Sequence, residues 1–168
     1  MQNASSVSET EAQPPVAAGL HHVGMSVADL DAALAFWERF LGKPARWKTV
    51  LDRPYLAQVV GYRGISIRAA FVDLPGGNTL ELLDYQTSNR TANPQATANP
   101  GNMHLCLAVH DADSAWRLAV ESGARPVSPA GPVEIDGGPN KGAKAAYLRI
   151  HDGITLELFQ RPNTAAAL

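Results

Sequence analysis

The sequence predicts an α+β fold built from two paired βαβββ modules, and three observations carry that prediction. The segments "HVGMSVADLDAALAFW", from His22, and "HLCLAVHDADSAWRLA", from His104, run in register without a gap. Each reads as an alternating strand, a short polar link and an amphipathic helix. Near the end of each half, "NTLELL" (Asn78 to Leu83) and "ITLELF" (Ile154 to Phe159) repeat one pattern, a strand with a single carboxylate among apolar residues.

The elements follow in chain order. The first strand leads through Asp29, suited to an N-cap, into a helix ended by Gly42. Strand-like stretches then lie around Lys48 to Leu56, Ile65 to Leu74 and Thr79 to Tyr85, with "LPGGN" as a hairpin turn between the last two. "QTSNRTANPQATANPGN" is polar and contains proline, so it reads as a linker. The second half repeats the order with Asp111 as N-cap and Gly123 as helix end. A strand near Arg125 to Val127, the loop "EIDGGPNKG", a strand from Ala143 to Ile150, the turn "HDG" and "ITLELF" complete it.

At 168 residues, the chain is long enough for one domain with a sizeable core. Residues 1–18 and 163–168 read as tails, the first of them disordered and neither a signal peptide nor a membrane span. The rest, 19–162, divides into module 1 (about 19–87), a linker (about 88–101) and module 2 (about 102–162). A net charge of -2 supplies no basic field, which argues against nucleic acid and membrane surfaces as partners and leaves a small-molecule substrate. The only cysteine, Cys106, cannot form an internal disulfide; a reducing compartment and a cytoplasmic location are the expectation.

Residues two apart on a strand share a face. His22 therefore lies with Gly24 and Ser26, opposite Val23, Met25 and Val27; His104 lies with Cys106 and Ala108, opposite Met103, Leu105, Leu107 and Val109. Glu81 lies with Thr79 and Leu83, and Glu157 with Thr155 and Phe159, while Leu80, Leu82, Leu156 and Leu158 face the other way. If the aliphatic faces pack under the helices, both histidines and both glutamates share the open faces, where a curved sheet forms a cavity. By the same parity His21 points to the helix-packed side or its rim, a structural or exposed residue. His110 and His151 fall in turns and read as solvated.

One Glu in one LEL tripeptide is an ordinary wet-face residue; two imidazoles and two carboxylates on matching faces make a mixed nitrogen and oxygen site for a divalent metal. Without a thiolate the set suits Zn, Ni, Co, Mn or Fe(II), and spacing does not choose among them. Four protein ligands in an octahedral shell leave two adjacent positions for water or substrate, which is a catalytic arrangement. A substrate with two neighbouring oxygens would fill them, and loss of a proton next to its carbonyl would give an enediolate or enolate stabilised by the metal.

The paired "HVGMSVADLDAALAFWERFLG" and "TLELL", followed by "HLCLAV" and "AAYLRIHDGITLELF", resemble the vicinal oxygen chelate superfamily, which includes glyoxalase I, methylmalonyl-CoA epimerase, extradiol dioxygenases and bleomycin-resistance proteins. The resemblance covers residues 19–161. It implies the glyoxalase/bleomycin resistance/dihydroxybiphenyl dioxygenase fold, sheets curling around a metal-binding cavity, one divalent metal per site and a homodimer. It places His22, Glu81, His104 and Glu157 in the four ligand positions, in the order of glyoxalase I. Glu157 would be the principal base and Glu81 its counterpart across the pseudo-two-fold, so both are catalytic candidates. Epimerases of the family often carry Gln at the second position, and the usual Asp-Pro-Asp-Gly turn is here "IHDG", which keeps Asp152 and Gly153.

The expected function is a metal-dependent isomerase or lyase of the glyoxalase I or methylmalonyl-CoA epimerase kind. The alternatives are an Fe(II) extradiol-type dioxygenase and a non-catalytic binding or resistance protein of the same fold. Trp47, Arg53, Tyr55, Tyr62 and Arg68 are candidates for the pocket mouth. Lys141 and Lys144 are candidates for a substrate's phosphate or carboxylate, beside a Gly-rich loop that lacks the ending of a phosphate-binding loop.

Overall fold

An aspartate ahead of an apolar stripe starts each long helix. Asp29 accepts hydrogen bonds from the backbone of Asp31 and Ala32 at the head of α1, Leu30–Leu41, and Asp111 accepts one from Ser114 at the head of α3, Ala112–Glu121. On α1, Leu30, Ala33, Leu34 and Trp37 fall on one face and are buried, and Gly42 closes the helix in the left-handed region at φ 70°. The computed structural model describes residues 17–87, 89–92 and 96–162. Residues 1–16 and 163–168 of the expected tails, and 88 and 93–95 of the linker, lie outside the described residues.

The strands form two mixed sheets. The first takes β1 (Val23–Ser26), β2 (Trp47–Leu51), β3 (Ile67–Asp73) and β4 (Thr79–Tyr85) in the order β1-β4-β3-β2, with β1 parallel to β4. The second takes β5 (His104–Ala108), β6 (Arg125–Pro126), β8 (Lys144–Arg149) and β9 (Thr155–Gln160) in the order β5-β9-β8-β6, with β5 parallel to β9 and the short β7 (Val133–Glu134) also pairing β8. The α+β class and the repeated strand-helix-strand-strand-strand order are those read from the sequence. Two elements differ. The stretch read as strand from Lys48 to Leu56 breaks after Leu51, and Leu56–Val60 is a short helix, α2. Pro54 interrupts the strand, Leu56 and Val60 fall on one helical face, and Gly61 ends the turn at φ 78°. Strand β7 was absent from the sequence reading, two residues being too few for a periodic signal.

The aliphatic faces do pack under the helices. Leu80, Leu82, Leu156 and Leu158 are fully buried, and with Met25, Val27, Leu107, Leu148 and the stripe of α1 they form one cluster that runs through both modules. Each such leucine contributes roughly 1.5–3 kcal/mol of burial. Met103 departs from the expected alternation: it precedes β5 and is exposed. Ion pairs fasten the edges. Buried Asp84 holds Arg68 and, at 3.0 Å, Arg90 of the linker, which also donates to the carbonyls of Val27 and Ala28.

The β8–β9 turn locks the modules together. Asp152 adopts φ 55°, a left-handed conformation that a short polar side chain tolerates, and its carboxylate accepts the Ala28 backbone N–H of module 1 at 2.9 Å. Next to it His151, read from the sequence as a solvated loop residue, is instead packed edge-on to Phe36 and Trp37 with ring centroids 6.0 and 6.2 Å away. Neither ring nitrogen has a hydrogen-bond partner among the described residues.

Burial pushes the His151 imidazole down to about 4, with the Asp152 charge opposing. A histidine held neutral contributes stability that is complete above its ordinary value of 6.5 and is lost as pH falls towards about 4. Between pH 7 and pH 4.5 the protein is expected to lose roughly 2 to 3 kcal/mol more than a His151→Phe variant does. Urea unfolding of both proteins at the two pH values checks this; equal losses would mean that the ring is not held neutral.

Candidate metal centre

The register of β1 on β4 sets Gly24 beside Glu81, and that of β5 on β9 sets Cys106 beside Glu157. His22 and His104 stand two residues earlier on the same faces. The result is two matching pairs: His22 Nε2 lies 3.1 Å from Glu81 Oε2, and His104 Nε2 lies 2.9 Å from Glu157 Oε2. In both, the glutamate is the deeper member, at 17% and 16% side-chain exposure against 35% and 39% for the histidines. Both pairs sit on the faces opposite the long helices α1 and α3.

These separations serve a hydrogen bond, and they also fit a metal. Two adjacent donors about 2.1 Å from an octahedral ion stand about 3.0 Å apart, so each pair spans one edge of such a shell. His21 is exposed, as expected of a rim position, and its Nδ1 lies 2.7 Å from the Nδ1 of His22. With His22 as donor in that contact, its Nε2 keeps a lone pair, the tautomer that a metal takes. Among the described residues, however, no three His, Cys, Asp or Glu side chains gather closely enough to hold an ion. One chain brings each histidine to its glutamate; it does not bring the two pairs together. Both sheets give their aliphatic faces to the shared core, so the pair-bearing faces turn outward.

Aromatic residues flank each pair. Phe71 is the register partner of Glu81 on β3, near His22, with its ring tilted against that of Trp47 at 4.9 Å. Tyr147 is the register partner of Glu157 on β8, with its ring 5.1 Å from that of His104. Sequence reasoning missed Phe71 and Tyr147, although parity along β3 and β8 carries the signal once the hairpin registers are counted. The halves thus differ: Gly24 and Phe71 surround Glu81, where Cys106 and Tyr147 surround Glu157. Burial, then the Glu157 charge and a hydrogen bond to it, push the Cys106 thiol up to about 11, which keeps it a thiol at neutral pH.

The remaining sequence candidates divide. Arg68 is turned to the helix side and paired with Asp31 and Asp84, and Lys144 is paired with Asp113 at 2.7 Å, so both are spoken for structurally. Trp47 lies on the pair-bearing face. Arg53 and Tyr55 lie just before α2, and Tyr62 just after it. A crevice of about 150 Å³ lined by Asp52, Arg53, Pro54, Ala57, Gly64, Ile65 and Ser66 lies against α2, and none of the four paired residues lines it.

Comparison with known proteins bears on the fold. Residues 19–158 match the model of the Glyoxalase/Bleomycin resistance protein/Dioxygenase superfamily. A 2-epi-5-epi-valiolone epimerase from Actinomyces sp. is 28% identical over 152 residues, 88% of this chain and 82% of that protein. Among solved structures, a glyoxalase family protein from Bacillus cereus superposes with a TM-score of 0.73 at 19% identity, covering 94% of this chain and 100% of the other. A glyoxalase/bleomycin resistance protein/dioxygenase domain from Frankia sp. gives 0.57 at 22% identity, over 88% and 95%. A glyoxalase I variant from Zea mays gives 0.58 at 19% identity, over 86% of this chain and 45% of that one. No helix among the described residues is long and apolar enough to cross a membrane.

Proposed function

Because the chain belongs to the glyoxalase/bleomycin resistance protein/dioxygenase superfamily, we propose that it is a divalent-metal-dependent isomerase, an epimerase of small hydroxyketones. The observation that carries the reading is the pair of His–Glu edges, each spaced for adjacent donors of one ion and each on an open sheet face. Since one chain holds them apart, two copies of the chain build the site in this reading, the β1–β4 face of one opposing the β5–β9 face of the other. Such a homodimer has two equivalent sites, and it covers apolar residues, Trp47 and Val133, that these faces expose in a single chain.

His22, Glu81, His104 and Glu157 would hold the metal, His22 braced by His21. When bound, a divalent ion of this donor set (Zn, Ni, Co, Mn or Fe) supplies Lewis-acid polarisation of a carbonyl. The chain's own work is proton transfer. Glu157 takes the proton from the carbon next to the substrate carbonyl, and the electron pair of that C–H bond moves toward the carbonyl oxygen. Glu81, on the opposing half and protonated at the start of the turnover, gives its proton to the other face of the same carbon, the configuration inverts, and exchange with water resets both carboxyl groups. In the reverse direction the two carboxylates exchange roles. The similarity to an epimerase favours this reading over a lyase of the glyoxalase I kind.

The test is proton exchange in deuterated water with the purified protein. A metal-loaded sample is expected to wash deuterium into the carbon next to the carbonyl of a 2-hydroxyketone and to interconvert its epimers, and a chelator is expected to abolish both. Exchange that survives complete metal removal would overturn the metal-dependent reading. Oxygen uptake with catechols on Fe(II) loading would move the protein to the dioxygenase reading.

A further inference from the structure

The segments that enter and leave α2 enclose the crevice of about 150 Å³, to which neither His–Glu pair contributes. Its walls are held by the backbone. Pro54 fixes one φ on the entering side, where the Leu56 N–H donates to the Arg53 carbonyl at 3.0 Å. On the leaving side Gly64 turns the chain at φ 65°, Ile65 is buried in one cluster with Leu56, and the Ser66 carbonyl accepts the Gln86 N–H at 2.9 Å. Between the two sides Ala57, in the first turn of the helix, leaves space that a longer side chain would fill.

Two opposite charges line this hollow, and the protein neutralises neither. Among the described residues the side chains of Asp52 and Arg53 make no ion pair or hydrogen bond, with each other or with a third group, and the Ser66 hydroxyl makes none either. Elsewhere on the surface such charges find one another: Arg46 reaches Asp73 at 2.8 Å, Lys48 reaches Asp31, and Lys144 reaches Asp113 at 2.7 Å. A single exposed charge left to water is ordinary. A guanidinium and a carboxylate held apart on one small concave surface, with Pro54, Ala57 and Ile65 as its apolar part, form a set that a ligand can complement. A simple anion would meet the guanidinium but face the carboxylate, and a simple cation the reverse. One molecule that carries both charges satisfies both. At about 150 Å³ the crevice is well below the roughly 300 Å³ at which pockets for drug-sized ligands begin, so that molecule has only a handful of heavy atoms.

We infer that this crevice is a binding site for a small zwitterion, an α-amino acid with a short side chain, separate from the reaction site. The Arg53 guanidinium takes the ligand's carboxylate with two N–H donors, the Asp52 carboxylate takes its ammonium, the Ser66 hydroxyl bonds to either, and the ligand's side chain rests on Ala57 and Ile65. Both ion pairs stay open to water on one side, so the dissociation constant falls in the millimolar range and rises with salt. Nothing in the site depends on a bound metal or on Glu81.

The probes are L-alanine, acetate and methylammonium, each titrated into the isotope-labelled full chain and followed through its backbone amides by NMR. Alanine is expected to shift the amides of Arg53, Ala57, Ile65 and Ser66 saturably, and acetate and methylammonium to bind at least 10-fold more weakly, a difference of about 1.4 kcal/mol or more. Arg53→Gln and Asp52→Asn should each weaken alanine binding by roughly 3- to 10-fold. Ala57→Leu, which fills the crevice and keeps both charges, should abolish it. Shifts that never saturate, acetate binding as tightly as alanine, or alanine binding that Ala57→Leu leaves intact would overturn the inference. The comparison of probes on the wild type decides the matter even where a variant does not fold. Proton exchange plays no part in the readout, so this site and the epimerase reading stand or fall separately.

Discussion

Replacing Glu157 with Gln is expected to lower turnover by roughly 10²- to 10⁴-fold while the protein still binds its metal. Gln keeps the volume of the side chain and one carbonyl oxygen as a donor, so the shell beside His104 persists, but it cannot accept a proton from carbon. Steady-state rates, with metal content measured on the same samples, check this. Full turnover with bound metal would remove Glu157 from the role of base. The matching change at Glu81 separates two events that the wild type couples. With Glu81→Gln, Glu157 still takes and returns a proton on its own face, so deuterium enters the starting epimer. Conversion to the other epimer should fall by a similar factor, because the opposing carboxylate is gone. Loss of exchange and conversion together would mean that the two carboxylates do not divide the faces between them.

The asymmetry around the pairs bears on which glutamate does more. Glu157 has the Cys106 thiol and the Tyr147 ring beside it, whereas Glu81 has Gly24 and Phe71. Module 1 is thus the more open and apolar half, with α2 at one end, and module 2 the more polar half. A site assembled from one of each is unequal on its two sides.

Much of this was legible in the sequence because period-two alternation is a strong signal when one face of a strand is fully apolar. Leu80 with Leu82 and Leu156 with Leu158 fixed which side of each terminal strand faces the helices, and the sides of Glu81 and Glu157 followed. Asp29 and Asp111 were readable as caps because only a short acceptor ahead of an apolar stripe satisfies the first free N–H groups. What escaped depended on contacts between distant segments. Nothing local separates a solvated His151 from one packed on Phe36 and Trp37 of the other module. Helix α2 is five residues long, too short for a helical period to emerge against the β-prone residues around it. Phe71 and Tyr147 became visible only with the strand registers, since neither stands near its glutamate in the chain. The outward turn of the two pair-bearing faces follows from how the modules share a core, which no single module's pattern contains.

That outward turn is the basis of the central claim: four residues form one catalytic metal site, and two chains build it. His22→Ala and His104→Ala each remove one ligand, so each protein alone should lack tight metal binding and turnover. A dimer holding one chain of each kind unites the intact β1–β4 half of the His104→Ala chain with the intact β5–β9 half of the His22→Ala chain. The decisive measurement is activity and bound metal after the two variants are unfolded together in equal amounts, refolded and shown to contain mixed dimers. The shared-site account predicts recovery of about a quarter of the wild-type activity and of its metal, since half of the dimers are mixed and each has one complete site. Mixed dimers as inactive as either parent would contradict it.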